Sequence, residues 1–313
     1  MVEVKNLTKV YGDHTAVDSL SFSVGDGQVF GFLGPNGAGK STTLNIITGC
    51  LAATSGEVAI DGYDIFEDEI QAKKRIGYLP EQPPLYLDST PLEYLNFVGM
   101  AKGLSARDMK KSVAHAMDVT KIDQVSNRLI KNLSKGYRQR VGIAQAILGD
   151  PKVVILDEPS VGLDPLQIVE IRNLVKSLGK EYSVVFSSHI LSEVQSVCSR
   201  ILIINKGKFI ACDTPKDLEF QFRGKASVEL VVEASKGDAR QAIRTTSAQN
   251  VRITQRRETC CEITLDAPSE GDSIQRELFF AFSRIGKPIL SMTKKQASLE
   301  DVFIALTKES QEV

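Results

Sequence analysis

No run of apolar residues in this sequence is long enough to cross a bilayer. Stretches such as 153–156 (VVIL) and 201–204 (ILII) are of strand length, far below the roughly 18–20 residues a spanning helix needs. The opening residues, MVEVKNLTKVY, mix charged with apolar side chains and lack the apolar core of a secretory signal. A soluble, cytoplasmic chain is expected, with no direct membrane insertion; any membrane role must come through a partner. Charge of one sign is also lacking. Thirty-eight Lys and Arg face 39 Asp and Glu, a net charge of −1, so no overall field draws the chain to nucleic acid or anionic lipid. Cysteine is sparse, and its five positions show no C-x-x-C spacing and no histidine cluster nearby. Reduced thiols are expected instead of a metal centre or a disulfide framework. Cys260 and Cys261 adjoin in a predicted strand and therefore face opposite sides of it.

What is present suits a globular chain of one large and one smaller domain, with 42% hydrophobic and 25% charged residues over 313 positions. Strands are predicted at 2–10 and 20–24 around the turn Gly12-Asp13, at 29–33, and at 57–60 before Asp61-Gly62. A helix follows from Ser41 to about Gly49. Between about 83 and 150 the strand signals fade and helical periodicity takes over, as in 91–102 and 105–117, which reads as a helical insertion. Strands return at 153–156, 183–187 and 201–204, separated by helices at about 165–178 and from 188 to about 198. This alternation predicts an α/β domain with a mixed, largely parallel sheet over 1–220. The pattern breaks near Asp213-Thr214-Pro215, and Phe222-Arg223-Gly224 reads as a linker. Beyond it, strand 226–234, helix 238–246, strands 249–255 and 259–266, helix 270–285 and strand 288–294 give β-α-β-β-α-β, a small α+β ferredoxin-like domain over 221–313. A last helix is expected at about 298–308.

Chemistry enters at 34–42, GPNGAGKST. Binding a triphosphate requires several backbone N–H groups around one concavity, which glycine permits without side-chain clash. Gly34, Pro35, Asn36, Gly37, Ala38 and Gly39 would form that cradle, followed by Lys40, Ser41 and Thr42. The helix opening at Ser41 adds its positive end. Lys40 would reach the β- and γ-phosphates and Ser41 would ligate Mg²⁺. The buried strand 153–156 ends in Asp157 and Glu158, which places Asp157 near the metal and lets Glu158 polarise an attacking water. His189 lies just beyond the next strand of the same sheet, where strand ends converge on ligands, within reach of a γ-phosphate.

The segment 133–140, LSKGYRQR, joins these motifs, and together they resemble the ABC ATPase family throughout 1–220. In that family an L-S-G-G-Q segment of one subunit closes over ATP held by the phosphate loop of another. The resemblance implies that Ser134 and Gly136 contact the γ-phosphate, that Tyr11 stacks on adenine with Val17 beside it, and that Gln82 senses Mg²⁺ and the attacking water. It further implies that Asp164 is the aspartate of a loop, 160–164, crossing the dimer interface. ATP and Mg²⁺ are the cofactors it implies. Two departures stand out: Lys135 where the family usually has glycine, and Tyr137 where it often has glutamine.

Since all parts occur in one chain, a homodimer would form two complete sites. The segment 297–305, ASLEDVFIA, resembles the end of ATPase subunits serving bacterial exporters with separate polytopic permeases. The stretches LSKGYRQRVGIAQAI and SVGLDPLQIVEIRNL resemble the branch labelled gliding-motility-associated. The resemblance thus implies a subunit peripheral on the cytoplasmic face of the cell membrane, powering export. Pro84, Leu85, Leu92, Tyr94 and Phe97 of the helical insertion are candidates either for permease contact or for internal packing. Two other classes stay open: a soluble ABC ATPase acting on ribosomes or nucleic acid, and a regulatory ATPase whose second domain senses a ligand. Against the former, the insertion is short and there is a single phosphate loop.

Overall fold

The computed structural model describes residues 1–222, 226–257, 259–267 and 271–295. The predicted 298–308 helix and the 297–305 segment lie outside them. Two units divide the chain, Met1–Pro215 and Lys216–Val313, and each is described by itself.

The first unit opens with β1 (Val2–Tyr11) and β2 (His14–Val24), which pair antiparallel across the Gly12-Asp13 turn. β2 begins well before the predicted residue 20. Its apolar alternation is hidden by register shifts along the β1–β2 pair and by the positive φ of Ser19, since each irregularity shifts a period-2 pattern by one residue. Next come β3 (Val29–Leu33), α1 (Lys40–Ile47), β4 (Ser55–Ile60) and β5 (Tyr63–Asp64). A short helix α2 (Glu69–Lys74) and the strand β6 (Ile76–Leu79) then follow, neither expected from sequence. In β6 the pattern is masked by Gly77, whose absent side chain admits the backbone of Ala146 against it.

Three helices form the insertion: α3 (Pro91–Ala101), α4 (Ala106–Thr120) and α5 (Lys135–Ile147). Local sequence sets their starts. Thr90 and Glu93 make a reciprocal capping box ahead of Pro91, and Ser105 and Ser134 cap the other two. The chain returns through β7 (Val153–Leu156), α6 (Pro165–Leu178), β8 (Ser183–Ser188), α7 (Leu191–Val197), β9 (Arg200–Asn205) and β10 (Lys208–Asp213). Six strands form the main sheet in the order β10-β9-β3-β8-β7-β6, all parallel except the antiparallel β10. The antiparallel sheet β2-β1-β4-β5 faces it. Val4, Leu20 and Val58 from one sheet share a fully or almost fully buried cluster with Phe30, Phe32 and Ile155 from the other and with Leu44 of α1. Each such side chain contributes about 1.5–3 kcal/mol by burial, enough to fix α1 between the sheets. Among the described residues no helix is long and apolar enough to cross a membrane.

A helix α8 (Pro215–Phe222) spans the division. The second unit then runs β11 (Ala226–Val232), α9 (Lys236–Ile243), β12 (Gln249–Arg257), β13 (Cys260–Ala267), α10 (Ser273–Arg284) and β14 (Ile289–Lys295). This is the expected β-α-β-β-α-β sequence. Its antiparallel order, β12-β13-β11-β14, is that of a ferredoxin-like sheet. It has a core of its own, with Val228, Leu230, Ile263, Leu265, Leu278 and Phe282 all buried. Cys261 joins that core, whereas Cys260 sits on the other face, as strand alternation demands.

Candidate active site

Strand β3 lies near the middle of the main sheet, so the loop leaving its carboxyl end emerges where open parallel sheets bind ligands. Gly34 opens this loop with no room for a side chain: a Cβ there would stand 2.7 Å from the carbonyl oxygen of Ile204. Gly39 closes it in a left-handed conformation, φ 99°, with its would-be Cβ 2.5 Å from the Ala16 carbonyl oxygen. Only glycine satisfies both demands at Gly39. Helix α1 then starts at Lys40 with no side-chain cap, which leaves its amino end to a ligand.

Lys40 is 6% exposed. Its ammonium donates to the carbonyls of Gly34 (2.8 Å) and Pro35 (3.2 Å) and lies 3.2 Å from a carboxylate oxygen of Glu158. The other Glu158 oxygen is 2.7 Å from His189 Nδ1. Glu158 itself takes a positive φ of 48°, an unfavourable conformation that persists where surrounding bonds enforce it. Here its N–H donates to Ser187 Oγ (2.8 Å), and that hydroxyl donates to Asp157 Oδ1 (2.6 Å). Burial pushes the Asp157 carboxyl above the usual carboxylate range, opposed by hydrogen bonds from Ser187 and Ser41. The pairing of the Ser41 hydroxyl with a carboxylate fits a hard divalent cation that takes oxygen ligands. Among the described residues no group of three or more His, Cys, Asp or Glu gathers to hold a metal.

A cavity of about 560 Å³ opens over the loop. Of the residues expected in the site, Tyr11, Asn36, Gly37, Gly39, Lys40, Ser41, Thr42, Glu158 and His189 line it. Gly34, Pro35 and Ala38 complete the loop without lining the cavity, and Asp157 is buried behind it. Tyr11 is 46% exposed at the end of β1, with Lys9 Nζ 5.0 Å from its ring centre. Val17 is not part of the wall: it is fully buried in the core between the sheets. His14 and Ala16 of the same strand face the cavity, because neighbours in a strand point to opposite sides. Gln82 is exposed and lies outside the lining, which its neighbour Glu81 joins. His14, Ala16, Glu81 and Val161 were missed in the sequence; strand parity was the available signal for Ala16.

Ser134, Gly136 and Asp164 lie elsewhere, around a separate hollow of about 410 Å³ that also includes Gln167 and Arg140. Ser134 caps α5 by accepting from Tyr137 N–H (3.3 Å), and Asp164 caps α6 by accepting from Gln167 N–H (2.9 Å). Gly136 is buried, and a Cβ there would stand 2.8 Å from Gln167 Cδ. Lys135 is exposed, and its ammonium rests where a Cβ on Gly162 would be. Tyr137 OH accepts from Gln124 Nε2, so both departures from the family pattern are absorbed by local contacts. Lys135→Gly is therefore expected to leave the rate of ATP hydrolysis within about an order of magnitude, ~1.4 kcal/mol in barrier; phosphate release at saturating ATP checks this.

A model of the ABC transporter family matches residues 17–161. The linearmycin resistance ATP-binding protein LnrL of Bacillus subtilis is 33% identical over 308 residues, covering 98% of each chain. The chain belongs to the ABC transporter ATPase family. A second relative, the Nod factor export ATP-binding protein I of Cupriavidus metallidurans, is 32% identical over 98% of this chain and 97% of its own. Among solved structures, the dimeric post-hydrolysis state of the ATP-binding cassette MJ0796, bound to ADP and Pi, matches this ABC ATPase with a TM-score of 0.61. It is 28% identical over 68% of this chain and 98% of that one.

Proposed function

We propose that this ABC ATPase is the subunit that energises export through a separate, polytopic membrane permease, working as a homodimer. The observation that carries the reading is the division of the site residues. The phosphate loop, Glu158 and His189 line one cavity, while Ser134, Gly136 and Asp164 line another. A second copy would then bring its Ser134 segment to the triphosphate held by the first. In each composite site Lys40 holds the β- and γ-phosphates, Glu158 takes a proton from the attacking water, and His189 orients that carboxylate and meets the γ-phosphate. Tyr11 stacks on adenine. Ser41 and Asp157 would hold Mg²⁺, with Gln82 assigned to the cation and the water by resemblance; the cation would supply positive charge against that developing on the phosphate oxygens.

Export is supported by the relative named for Nod factor export, and the location on the cytoplasmic face of the membrane rests on the family resemblance. The gliding-motility-associated branch rests on the two segments quoted above. For the permease, exposed Leu92 and Phe97, with Tyr86 5.2 Å from the Phe97 ring, offer an apolar surface on the insertion. Tyr94 is 3% exposed and bonded to the Pro84 carbonyl, so of the earlier candidates it packs inside.

The composite site has a direct test. Lys40→Ala and Ser134→Ala copies are each expected to be inactive alone. Mixed, they should recover up to about a quarter of the native rate, because half of the dimers carry one intact site of two. No recovery on mixing means each site is complete within one chain. Co-purification with a multi-spanning membrane protein supports transport; co-sedimentation with ribosomes or DNA instead would reject it.

A further inference from the structure

Glu193 is a buried carboxylate without a task in the scheme above. It sits on α7 four residues after His189, 1% exposed, among the buried apolar residues Leu191, Val194 and Val197. Its Oε2 accepts from Ser160 Oγ at 2.6 Å and from Ser188 Oγ at 2.9 Å. Its Oε1 has no hydrogen-bond partner, and the guanidinium of Arg172 on α6 stands 3.9 Å away. Burying a carboxylate costs several kcal/mol unless its bonds compensate, and here one oxygen is left short. An apolar residue would fill this position at lower cost to stability, so packing does not explain a carboxylate.

The two hydroxyls that Glu193 holds explain it better. Ser160 lies two residues after Glu158, and Ser188 immediately precedes His189. Ser188 Oγ also accepts from the N–H of Ile190 at 3.0 Å, which fixes the turn on which His189 sits. The tips of β7 and β8 are thus tied twice. Ser187 joins Asp157 and the Glu158 amide on one side of the strand, and Glu193 joins the two following loops on the other. The 160–164 loop is gripped at both ends, by Glu193 at Ser160 and by Asp164, which caps the helix bearing Arg172.

We propose that Glu193 is a positioning residue for ATP hydrolysis: by gripping Ser160 and Ser188 with one oxygen, it sets Glu158 against His189 and directs the 160–164 loop. The inference rests on the assignment of hydrolysis to Glu158 and His189. Glu193 does not reach the nucleotide cavity, so its loss acts on geometry at the reacting atoms and leaves the phosphate cradle intact.

The test measures kcat, KM for ATP, nucleotide affinity and melting temperature for the full chain and its variants. Glu193→Ala is expected to lower kcat by about 10- to 100-fold, the scale on which ångström-level misplacement acts, with KM within about threefold of native. Glu193→Gln keeps an oxygen acceptor for both hydroxyls and should restore most of kcat. Ser160→Ala with Ser188→Ala should reproduce the loss, and adding Glu193→Ala should deepen it little, because the three act as one unit. A native kcat in Glu193→Ala, a Gln variant as slow as Ala, or losses that multiply would each overturn the proposal. If Glu193→Ala does not fold, the paired serine variants and Glu193→Gln decide in the same way. A native chain that hydrolyses no ATP would reject the functional reading itself, an outcome distinct from those three.

Discussion

Glu158→Gln is expected to bind ATP at least as tightly as the native chain and to hydrolyse it slower by about two orders of magnitude or more, the range assigned to general-base catalysis. The substitution is nearly isosteric, so the amide oxygen can keep the contact to Lys40, while an NH2 donor replaces the oxygen that faces His189. What disappears is the capacity to take a proton from water, together with one negative charge beside a triphosphate. With turnover blocked, the ATP-held form should accumulate and elute as a dimer on gel filtration, returning to monomer when ATP is withdrawn. Single-turnover phosphate release measures the first effect and light scattering the second. A variant that hydrolyses at the native rate would remove Glu158 from the role of base and return the question to His189.

Lys40→Ala carries the second large effect, on two separate readouts. Losing a charge-assisted donor to the phosphates should weaken ATP binding by about a hundredfold, ~2.8 kcal/mol at 1.4 kcal/mol per decade. The structure adds a consequence for the ligand-free chain. Lys40 and Glu158 are 6% and 7% exposed and 3.2 Å apart, so removing the cation strands a buried carboxylate. Breaking a buried pair from one side costs about 3–5 kcal/mol, offset here by the remaining contact to His189. The melting temperature of the ligand-free chain should therefore fall. The double variant Lys40→Ala with Glu158→Gln should regain much of that stability while its ATP affinity stays low. Titration with a fluorescent ATP analogue and calorimetry separate the two; equal ATP affinity in Lys40→Ala and native chains would count against the cradle.

Sequence reasoning reached furthest where local rules decide the structure. Gly34 and Gly39 are dictated by backbone contact, the helix starts at Ser105, Ser134 and Asp164 by capping, and β3, β7 and β8 by uninterrupted apolar runs typical of strands buried on both faces. It fell short where tertiary contact overrides the pattern. β2 was seen only in part because the positive φ of Ser19 breaks its alternation, and β6 was missed because Gly77 serves α5 and not the strand. Val17 shows a third limit. Its place in the chain was close to the cavity, but one residue of strand parity sends it to the core and leaves Ala16 at the wall. Ser187, Ser188 and Glu193 carried no motif, and Ser160 only the start of the 160–164 loop; the folded strand tips show what these hydroxyls and this carboxylate share.

The second unit's outer strands bear on how copies of this chain associate. Among the described residues, β12 and β14 form the margins of its sheet, and they carry Arg252, Arg256, Lys294 and Lys295. Arg256 is paired with Glu262 and Lys295 with Glu229, and long charged side chains of this kind on a margin deter another strand from adding there. Association by sheet extension is thereby disfavoured, in keeping with the proposed pairing of copies through the unit that carries the phosphate loop.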